Sequence, residues 1–364
     1  MRYWIRTASA LSLTAFVILS MTAASADDKV EAAAKVVGQA SNEKLLAELQ
    51  RRFEKKRQAS KSPSDKVLKR GLVSPLESLD DATLVEALKV TVRTRTIYGS
   101  DDRKDWYEIK NNDVKPLARA SVALVNASDT SAAAGQISLK ARPLRQTMGL
   151  CAGERYGAQP AAAFCSGTLV RPDVVLTAGH CVREISDDQA ISPVTEVRFV
   201  FGYRMEKSDY DPMKLRADQI FSGKEVLAGE KNESRDWALI RLGKPVPAEI
   251  ATPVTDWDTG SVSKGQKVFV IGYPSGIPLK YAPGAEVRDI ASPGYFVANL
   301  DSFGGNSGSG VFDQQTKRLV GVLVRGDADF VQDEGKNCNR VHVCPNTGCR
   351  GEDVTRLSVV SLPQ

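Results

Sequence analysis

The sequence predicts a mainly β protein, with a barrel or sandwich in its C-terminal part and a helical extension before it. From about Ile97 onward, short runs of β-branched and apolar residues alternate with turns rich in Gly, Pro, Asn and Asp, as is typical of an all-β fold. Strands and helices do not alternate along the chain, which argues against a doubly wound parallel sheet. No repeat with a period of about 20–50 residues is visible, which argues against a solenoid or a propeller.

The first 26 residues have the pattern of a secretory signal peptide. "MRYWIR" is positively charged, "ALSLTAFVILSM" is apolar, and "ASA" at residues 24–26 fits a cleavage site between small residues. The alternative is an N-terminal membrane anchor, but the apolar run is shorter than the roughly 18–20 residues that a spanning helix needs. We therefore expect a secreted or periplasmic protein that begins near Asp27 and has no transmembrane anchor after signal cleavage.

Residues 27–94 are predicted to form a helical and linker extension. The stretch "SNEKLLAELQRRFEKKR" places Leu45, Leu49 and Phe53 at helical spacing, and Ser41 is suited to cap the helix. The basic residues of this helix form either a solvated face or a surface for a membrane or an acidic partner. A pro-segment is one role for this extension, and the sequence does not decide among the alternatives.

Composition limits the classes of function. Of the 364 residues, 42% are hydrophobic and 26% are charged, which is ordinary for a globular protein. The formal net charge of +5 falls to +3 when Arg2 and Arg6 leave with the signal peptide. This charge is too small to indicate nucleic-acid binding, and no aromatic-basic stripe or helix-turn-helix pattern supports it. We therefore expect no nucleic-acid partner.

Three short motifs carry residues suited to nucleophilic catalysis. His180 follows an apolar strand in "VVLTAGHCV", Asp236 opens a strand in "SRDWALIRL", and Ser307 lies in "GGNSGSG" between two strand-like segments. Each residue alone also has a structural explanation, as a satisfied histidine, a turn aspartate or a flexible glycine-rich linker. The serine motif lacks the lysine of a P-loop and the G-x-S-x-G pattern and following helix of an α/β-hydrolase. The order His, Asp, Ser matches the chymotrypsin arrangement.

In this order, "TAGHC", "DWALIRL" and "GNSGS" resemble the motifs of the chymotrypsin-like (trypsin-like) serine proteases. The "GGNSGSG" form resembles the secreted bacterial branch that includes the glutamyl endopeptidases. The resemblance covers roughly residues 95–360. It implies two six-stranded antiparallel β-barrels and a trypsin-like protease domain over residues 95–364.

The resemblance also implies roles for individual residues. Ser307 would be the nucleophile, His180 its general base, and Asp236 the residue that orients His180. The backbone N–H groups of Gly305 and Ser307 would form the oxyanion hole. The expected function is a secreted serine endopeptidase that acts on protein or peptide substrates through an acyl-enzyme. No cofactor and no metal are expected, and the oligomeric state is left open.

Six cysteines in an exported chain indicate disulfides. By resemblance to the family, Cys165 and Cys181 are expected to be bridged and to brace the turn that carries His180. Three pairings are open for the other four, Cys151, Cys338, Cys344 and Cys349. His342 lies among the last three of them, so a zinc site is an alternative, although the irregular spacing and the oxidising compartment favour disulfides.

Substrate preference is predicted from two positions that match the family. Asp301, six residues before Ser307, corresponds to the pocket floor at which a carboxylate selects Arg or Lys, and its alternative is an outward-facing turn. Gly326 corresponds to a glycine that pairs with an extended substrate. Val324 and Arg325 depart from the Ser-Trp that usually precedes this glycine. An internal pair between Arg325 and Asp301 would abolish the basic preference.

Asn306 departs from the family at another functional position. In zymogens of the family an aspartate there pairs with a new N-terminus, and a neutral Asn306 cannot form that ion pair. We therefore expect no activation by N-terminal insertion, although Arg119–Ala120 is a candidate cleavage site. The alternative functions are a catalytically weak or inactive protease-like binding module and an esterase with the same three residues.

Overall fold

The computed structural model describes residues 97–133, 135–186, 188–189, 191–326, 329–333 and 335–362. The predicted signal peptide (1–26) and helical extension (27–94) lie outside the described residues. Among the helices that are described, none has the length and apolar character needed to cross a membrane.

Strands dominate the described part of the chain. In chain order they are β1 (Ile97–Tyr98), β2 (Lys104–Asp105), β3 (Ser121–Asn126), β4 (Thr130–Ala133), β5 (Gln136–Leu139), β6 (Arg142–Pro143), β7 (Pro160–Ala161), β8 (Cys165–Arg171), β9 (Val174–Thr177), β10 (Val197–Val200), β11 (Lys214–Arg216), β12 (Ile220–Lys231), β13 (Asp236–Leu242), β14 (Lys267–Gly272), β15 (Lys280–Asp289), β16 (Tyr295–Ala298), β17 (Gly310–Asp313), β18 (Leu319–Arg325), β19 (Phe330–Asp333), β20 (Cys338–Val341), β21 (Val343–Cys344) and β22 (Glu352–Arg356).

Helices are short. The three described α-helices are α1 (Val114–Ala120), α2 (Leu144–Met148) and α3 (Arg183–Ser186). Single 3-10 turns occur at Trp106–Glu108, Ala127–Asp129, Gly179–Cys181, Val194–Glu196, Ala217–Gln219, Pro274–Gly276 and Leu357–Val359. The candidate cleavage site Arg119–Ala120 lies in the last turn of α1, and Ala120 is fully buried where the chain enters β3.

Two closed antiparallel barrels form the body of the domain. In the first, the strands follow the order β3-β10-β12-β13-β9-β8 and β8 closes onto β3. In the second, the order is β14-β17-β18-β22-β16-β15 and β15 closes onto β14, while β2 adds to the outer edge of β15. The prediction of a mainly β fold with two six-stranded antiparallel barrels is therefore confirmed.

The sequence of β14 shows how the second barrel acquires two apolar faces. Side chains alternate across a strand, so Val268 and Val270 point into one apolar cluster with the other residues inside this barrel. Phe269 and Ile271 point the other way and join the larger cluster that fills the first barrel. All four residues are at least 98% buried, so β14 contributes to both cores and the two barrels share an apolar contact.

Strand pairing brings two of the predicted catalytic residues together. In the first barrel β9 and β13 are antiparallel neighbours, with Thr177 opposite Ala238. His180 comes three residues after Thr177, and Asp236 comes two residues before Ala238, at the start of β13. The end of one strand therefore meets the beginning of the other, and the two side chains lie next to each other at the edge of the barrel.

Candidate active site

His180 and Asp236 form two hydrogen bonds. Nδ1 of His180 lies 2.8 Å from Oδ2 of Asp236, and the His180 backbone amide donates to Oδ1 over 3.0 Å. The carboxylate accepts in both bonds, so Nδ1 carries a proton and Nε2 is left as the basic nitrogen. This pair fixes both the tautomer and the direction of the imidazole ring.

The Asp236 carboxyl is ionised although it is buried. Only 6% of its side chain is exposed, against 31% for His180. Burial alone would raise the pKa of Asp236. The two hydrogen bonds from His180 and the electrostatic attraction of His180 outweigh that effect and hold the pKa of Asp236 below its usual value. On the other side, Thr355 Oγ1 donates to the Asp236 carbonyl over 3.0 Å and anchors the start of β13 to the second barrel.

Ser307 is held against the first barrel by its own backbone. Its carbonyl oxygen accepts a 2.8 Å hydrogen bond from the Ser166 amide, and Sγ of Cys181 lies 3.7 Å from the same oxygen. Cys181 follows His180 directly, so Ser307 lies beside the histidine loop. The Ser307 hydroxyl donates to the carbonyl oxygen of Val324 over 3.3 Å.

The glycines around Ser307 are required by the geometry of the loop. Gly305 and Gly308 have φ values of +85° and +89°, in the left-handed region that strains other residues. A Cβ atom on Gly308 would also overlap with the Ser166 carbonyl oxygen and the Thr177 hydroxyl. The Ser166 hydroxyl donates to the Gly305 carbonyl over 2.8 Å, which fixes the loop on both sides of Ser307. The glycine-rich motif is thus a tightly packed turn.

Two backbone amides of this loop are available for an oxyanion. Among the hydrogen bonds of the described residues, neither the Gly305 nor the Ser307 amide donates to a protein acceptor. The intervening Asn306 amide donates to the Phe303 carbonyl over 3.0 Å. The Asn306 amide therefore closes the turn by a hydrogen bond within the loop, while the amides of the residues on either side have no acceptor among the described residues.

Asn306 is buried and forms hydrogen bonds within its own loop. Its Oδ1 accepts a 3.4 Å hydrogen bond from the Ser309 hydroxyl, and its carbonyl accepts from the Ser309 amide over 2.9 Å. A Cβ atom on Gly272 would lie 2.8 Å from the same Oδ1. The neutral amide is thus packed between Ser309 and the end of β14.

The six cysteines form three disulfides. Cys165 pairs with Cys181, Cys151 with Cys338, and Cys344 with Cys349. The first pair closes a loop of 16 residues from β8 to the turn that carries His180, worth about 3 kcal/mol in the chain-entropy view. The pairing of Cys344 with Cys349 removes the thiolates that a zinc site near His342 would need.

Asp301 is tied to the first residues that the structure describes. Its Oδ1 accepts a 2.7 Å hydrogen bond from the Tyr98 amide, and its Oδ2 accepts a 3.3 Å bond from the Asp102 amide. Burial raises the pKa of Asp301 to about 8, and the Asp102 carboxyl beside it contributes to the same rise. Arg325 does not pair with Asp301: its Nε lies 3.1 Å from Asp353, and its Nη2 donates to the Glu233 carbonyl.

Glu352 is a buried carboxylate near Gly326 that sequence reasoning missed. It is the first residue of β22, and Ser302 donates its hydroxyl to Oε2 over 3.2 Å. A Cβ atom on Gly326 would overlap with the Glu352 carboxylate, so this glycine leaves the space that the carboxylate occupies. No local pattern in "RGEDVTR" marks Glu352, because its neighbours come from distant parts of the chain.

The chain is similar to known peptidases. Residues 165–322 match the family model described as a trypsin-like peptidase domain. A glutamyl endopeptidase of Bacillus licheniformis is 25% identical over 158 residues, which are 42% of this chain and 46% of that protein, so the chain spans about half the length of this relative. A trypsin-like protease of Streptomyces glaucescens is 26% identical over 235 residues, which are 54% of this chain and 82% of that protein.

A solved structure of a Glu endopeptidase in complex with MPD is also similar. It is 17% identical, with 72% of this chain and 96% of that chain covered and a TM-score of 0.42. The family match over residues 165–322 and the two protease relatives support the resemblance of the chain to the chymotrypsin-like (trypsin-like) serine proteases, including the glutamyl endopeptidase branch.

Proposed function

We propose that this protein is a secreted serine endopeptidase in which Ser307, His180 and Asp236 act as the catalytic triad. The observation that carries the proposal is the doubly hydrogen-bonded His180–Asp236 pair beside the loop of Ser307. A free serine hydroxyl is a poor nucleophile and needs a base to accept its proton. The tautomer of His180 leaves Nε2 for that task. Secretion is proposed from the signal-like sequence of residues 1–26.

The reaction uses each of these groups in turn. Oγ of Ser307 attacks the substrate carbonyl carbon while Nε2 of His180 takes the hydroxyl proton. The carbonyl electron pair moves to the oxygen, and the amides of Gly305 and Ser307 stabilise that charge. His180 then returns the proton to the leaving amine, and the C–N bond breaks to give an acyl-enzyme. Water, deprotonated by His180, hydrolyses this ester and restores Ser307.

Substrate binding is proposed to release the Ser307 hydroxyl for this reaction. In the structure the hydroxyl donates to the Val324 carbonyl. An extended peptide that lies along the end of β18 presents backbone N–H groups to this edge. A substrate amide that takes the Val324 carbonyl would displace the serine hydroxyl, which then turns about its Cα–Cβ bond toward His180. Catalytic hydrogen bonds that form only in the substrate complex are common.

A weak preference for Arg or Lys before the scissile bond is proposed, with Glu352 as its main source. Gly326 lies two residues beyond Val324, just after the end of β18. Two residues of extended chain span about 7 Å, a distance similar to the length of a lysine side chain. The Glu352 carboxylate lies against Gly326 there. Asp301 is less suited to the role that the sequence predicts, because two amides bind its carboxyl and its pKa is raised to about 8.

Hydrolysis of peptides by the wild type and by Ser307→Ala tests the proposed function. The panel contains peptides and esters that differ only in the scissile bond, and thermal melting shows that both proteins are folded. We expect the wild type to cleave peptides and Ser307→Ala to lose at least about 1,000-fold in kcat. Cleavage of esters alone would indicate an esterase. A folded wild type that cleaves neither would indicate a binding module.

A further inference from the structure

The segment 97–105, which we call the N-terminal brace, packs directly against the residues that lead to Ser307. Within it, β1 pairs with β21 in parallel, and β2 pairs with β15 of the second barrel. The amide of Tyr98, at the end of β1, and the amide of Asp102, between β1 and β2, bind the two oxygens of Asp301. The brace is therefore hydrogen-bonded to Asp301, which lies six residues before the proposed nucleophile Ser307.

Arg103 adds a second contact between the brace and the same loop. Its side chain is 99% buried, and its guanidinium lies over the ring of Phe303, 4.1 Å from the ring centroid. Asp101 binds it with two hydrogen bonds of 2.9 Å, from Nε and from Nη2. A buried guanidinium paired in this way and stacked on an aromatic ring is held firmly, because each lost contact would leave charge in an apolar place.

The brace is itself fixed to the rest of the domain. Arg155 donates to the carbonyls of Asp101 and Arg103 over 2.9 and 2.7 Å, and the Tyr156 hydroxyl donates to the Arg103 carbonyl over 2.7 Å. At the end of the brace, Asp105 forms a buried 2.7 Å ion pair with Lys280. The contacts on Asp301 and Phe303 are thus made by a segment with little freedom to move.

The supported loop carries the proposed oxyanion amides. Phe303 accepts the Asn306 amide and so closes the turn that leaves the amides of Gly305 and Ser307 unengaged. A displacement of Asp301 or Phe303 would move this turn directly. Because a catalytic group displaced by about 1 Å costs up to 100-fold in rate, the support of the loop matters for the chemistry.

We propose that the N-terminal brace positions the oxyanion loop without a new N-terminus, with Asp301 and Arg103 as positioning residues. The proposal rests on the proposed function, because it assigns the amides of Gly305 and Ser307 to the reaction. It also accounts for Asn306, whose neutral side chain cannot pair with an α-amino group as an ion and accepts a hydrogen bond from Ser309. Residues 97–105 of the same chain supply the contacts to Asp301 and Phe303 to which this role is assigned.

Two matched alanine variants test the brace. Asp301→Ala and Asp313→Ala each remove a carboxylate that accepts two backbone amides, and each lies six residues from Ser307. Only Asp301 binds the brace. We expect Asp301→Ala to lower kcat by about 10- to 100-fold with KM changed less than about twofold, as for an interaction that acts on the transition state. Asp313→Ala should lower the melting temperature and leave kcat within about threefold.

Conservative variants separate positioning from packing. Asp301→Asn keeps an acceptor for the Tyr98 amide and is expected to restore kcat to within about threefold of the wild type. Arg103→Lys and Arg103→Met both lose the paired guanidinium. Each is expected to lower kcat, and the loss in kcat should be larger in the variant whose loop amides exchange faster. Equal kcat in Asp301→Ala and Asp313→Ala, or an effect of Asp301→Ala on KM alone, would overturn the proposal.

Hydrogen exchange of the loop distinguishes failure of the brace from failure of the proposed function. The amides of residues 302–306 are followed in the wild type, in Asp301→Ala and in Asp313→Ala, and no activity is needed for the measurement. Faster exchange in Asp301→Ala alone supports the brace even if no substrate is cleaved. Unchanged exchange in Asp301→Ala overturns the brace even if the enzyme is an active protease.

Discussion

Asp236 holds His180 at two points, through Nδ1 at 2.8 Å and through the backbone amide at 3.0 Å. The imidazole direction is therefore set by a buried, ionised carboxylate. Because the pKa of Asp236 is held below its usual value by these bonds, the carboxylate is charged at neutral pH, as the proposed mechanism requires when His180 gains a proton. This relationship makes the pair suited to stabilise an imidazolium during the reaction.

Replacing Asp236 with Asn is expected to lower kcat by about 10,000-fold at neutral pH. The amide keeps the size of the side chain, but its NH₂ group can donate to Nδ1 and so favours the wrong tautomer of His180. Steady-state kinetics with the preferred peptide measures the loss, and thermal melting confirms the fold. A loss of less than about tenfold would show that His180 does not depend on Asp236.

Neutralising Glu352 is expected to reduce the preference for cationic substrates. Peptides with lysine and with its uncharged analogue norleucine before the scissile bond are compared in the wild type, Glu352→Gln and Asp301→Asn. Because a substrate cation would pair with the buried Glu352 carboxylate, the lysine-to-norleucine ratio of kcat/KM should fall about tenfold or more in Glu352→Gln. The ratio should change little in Asp301→Asn, and the reverse result would return the role to Asp301.

The Asp301–Asp102 pair predicts stability that falls as pH rises. Burial raises the pKa of Asp301 to about 8 and the pKa of Asp102 to about 6. The charge of Asp101 adds to the rise in the pKa of Asp102, while the charges of Arg103 and Lys104 oppose it. Since unfolded aspartates titrate near pH 4, the native state holds more protons between about pH 4 and 8. The pair contributes on the order of a few kcal/mol to the free energy of unfolding. This contribution is complete below about pH 4 and is lost as the pH rises to about 8.

Urea denaturation at several pH values checks this contribution. The free energy of unfolding of the wild type, relative to that of Asp301→Asn, should decrease steadily from pH 5 to pH 9, because the asparagine does not titrate. Titrating groups that do not interact with Asp301 are common to both proteins and cancel in the difference, whereas Asp102 titrates together with Asp301 and is part of the measured effect. A difference that stays constant, or that grows with pH, would contradict the sign of the raised pKa values.

Activity is expected without cleavage near Arg119. The Arg119–Ala120 bond lies in α1 directly before a barrel strand, and the neutral Asn306 side chain accepts a hydrogen bond from Ser309. Mass spectrometry of active enzyme should therefore find the chain intact across this bond, and Arg119→Gln should retain full kcat. Activity that appears only after a cut at this bond would contradict the expectation, and so would an α-amino group bound to Asn306.

Local patterns predict the strands of a mainly β fold and the positions of the three motifs, whereas the two barrels are implied by the family resemblance. Runs such as "DWALIRL" and "QKVFVIGYP" gave strands because alternating or continuous apolar residues signal buried β structure over a few neighbours. The turn around Ser307 was visible because only glycine adopts its backbone readily. Each of these signals lies within about ten residues of chain, which is the range that sequence patterns report.

Contacts between distant residues were not predictable in the same way. The partners of Asp301 are the amides of Tyr98 and Asp102, about 200 residues earlier, and backbone amides carry no sequence signature. The pairing of Cys151 with Cys338 spans 187 residues, and four cysteines permit three pairings. Glu352 lies against Gly326 only because β22 and β18 are neighbours in the second barrel. Topology, rather than any local motif, decides these contacts.

Labelling with a fluorophosphonate, followed by peptide mapping, tests the central claim that Ser307 is a nucleophile activated by His180. The account predicts a single covalent adduct on Ser307 of the folded wild type, no adduct in Ser307→Ala, and labelling slowed by at least about 1,000-fold in His180→Ala. A folded wild type that stays unlabelled, or an adduct on another residue, would contradict it.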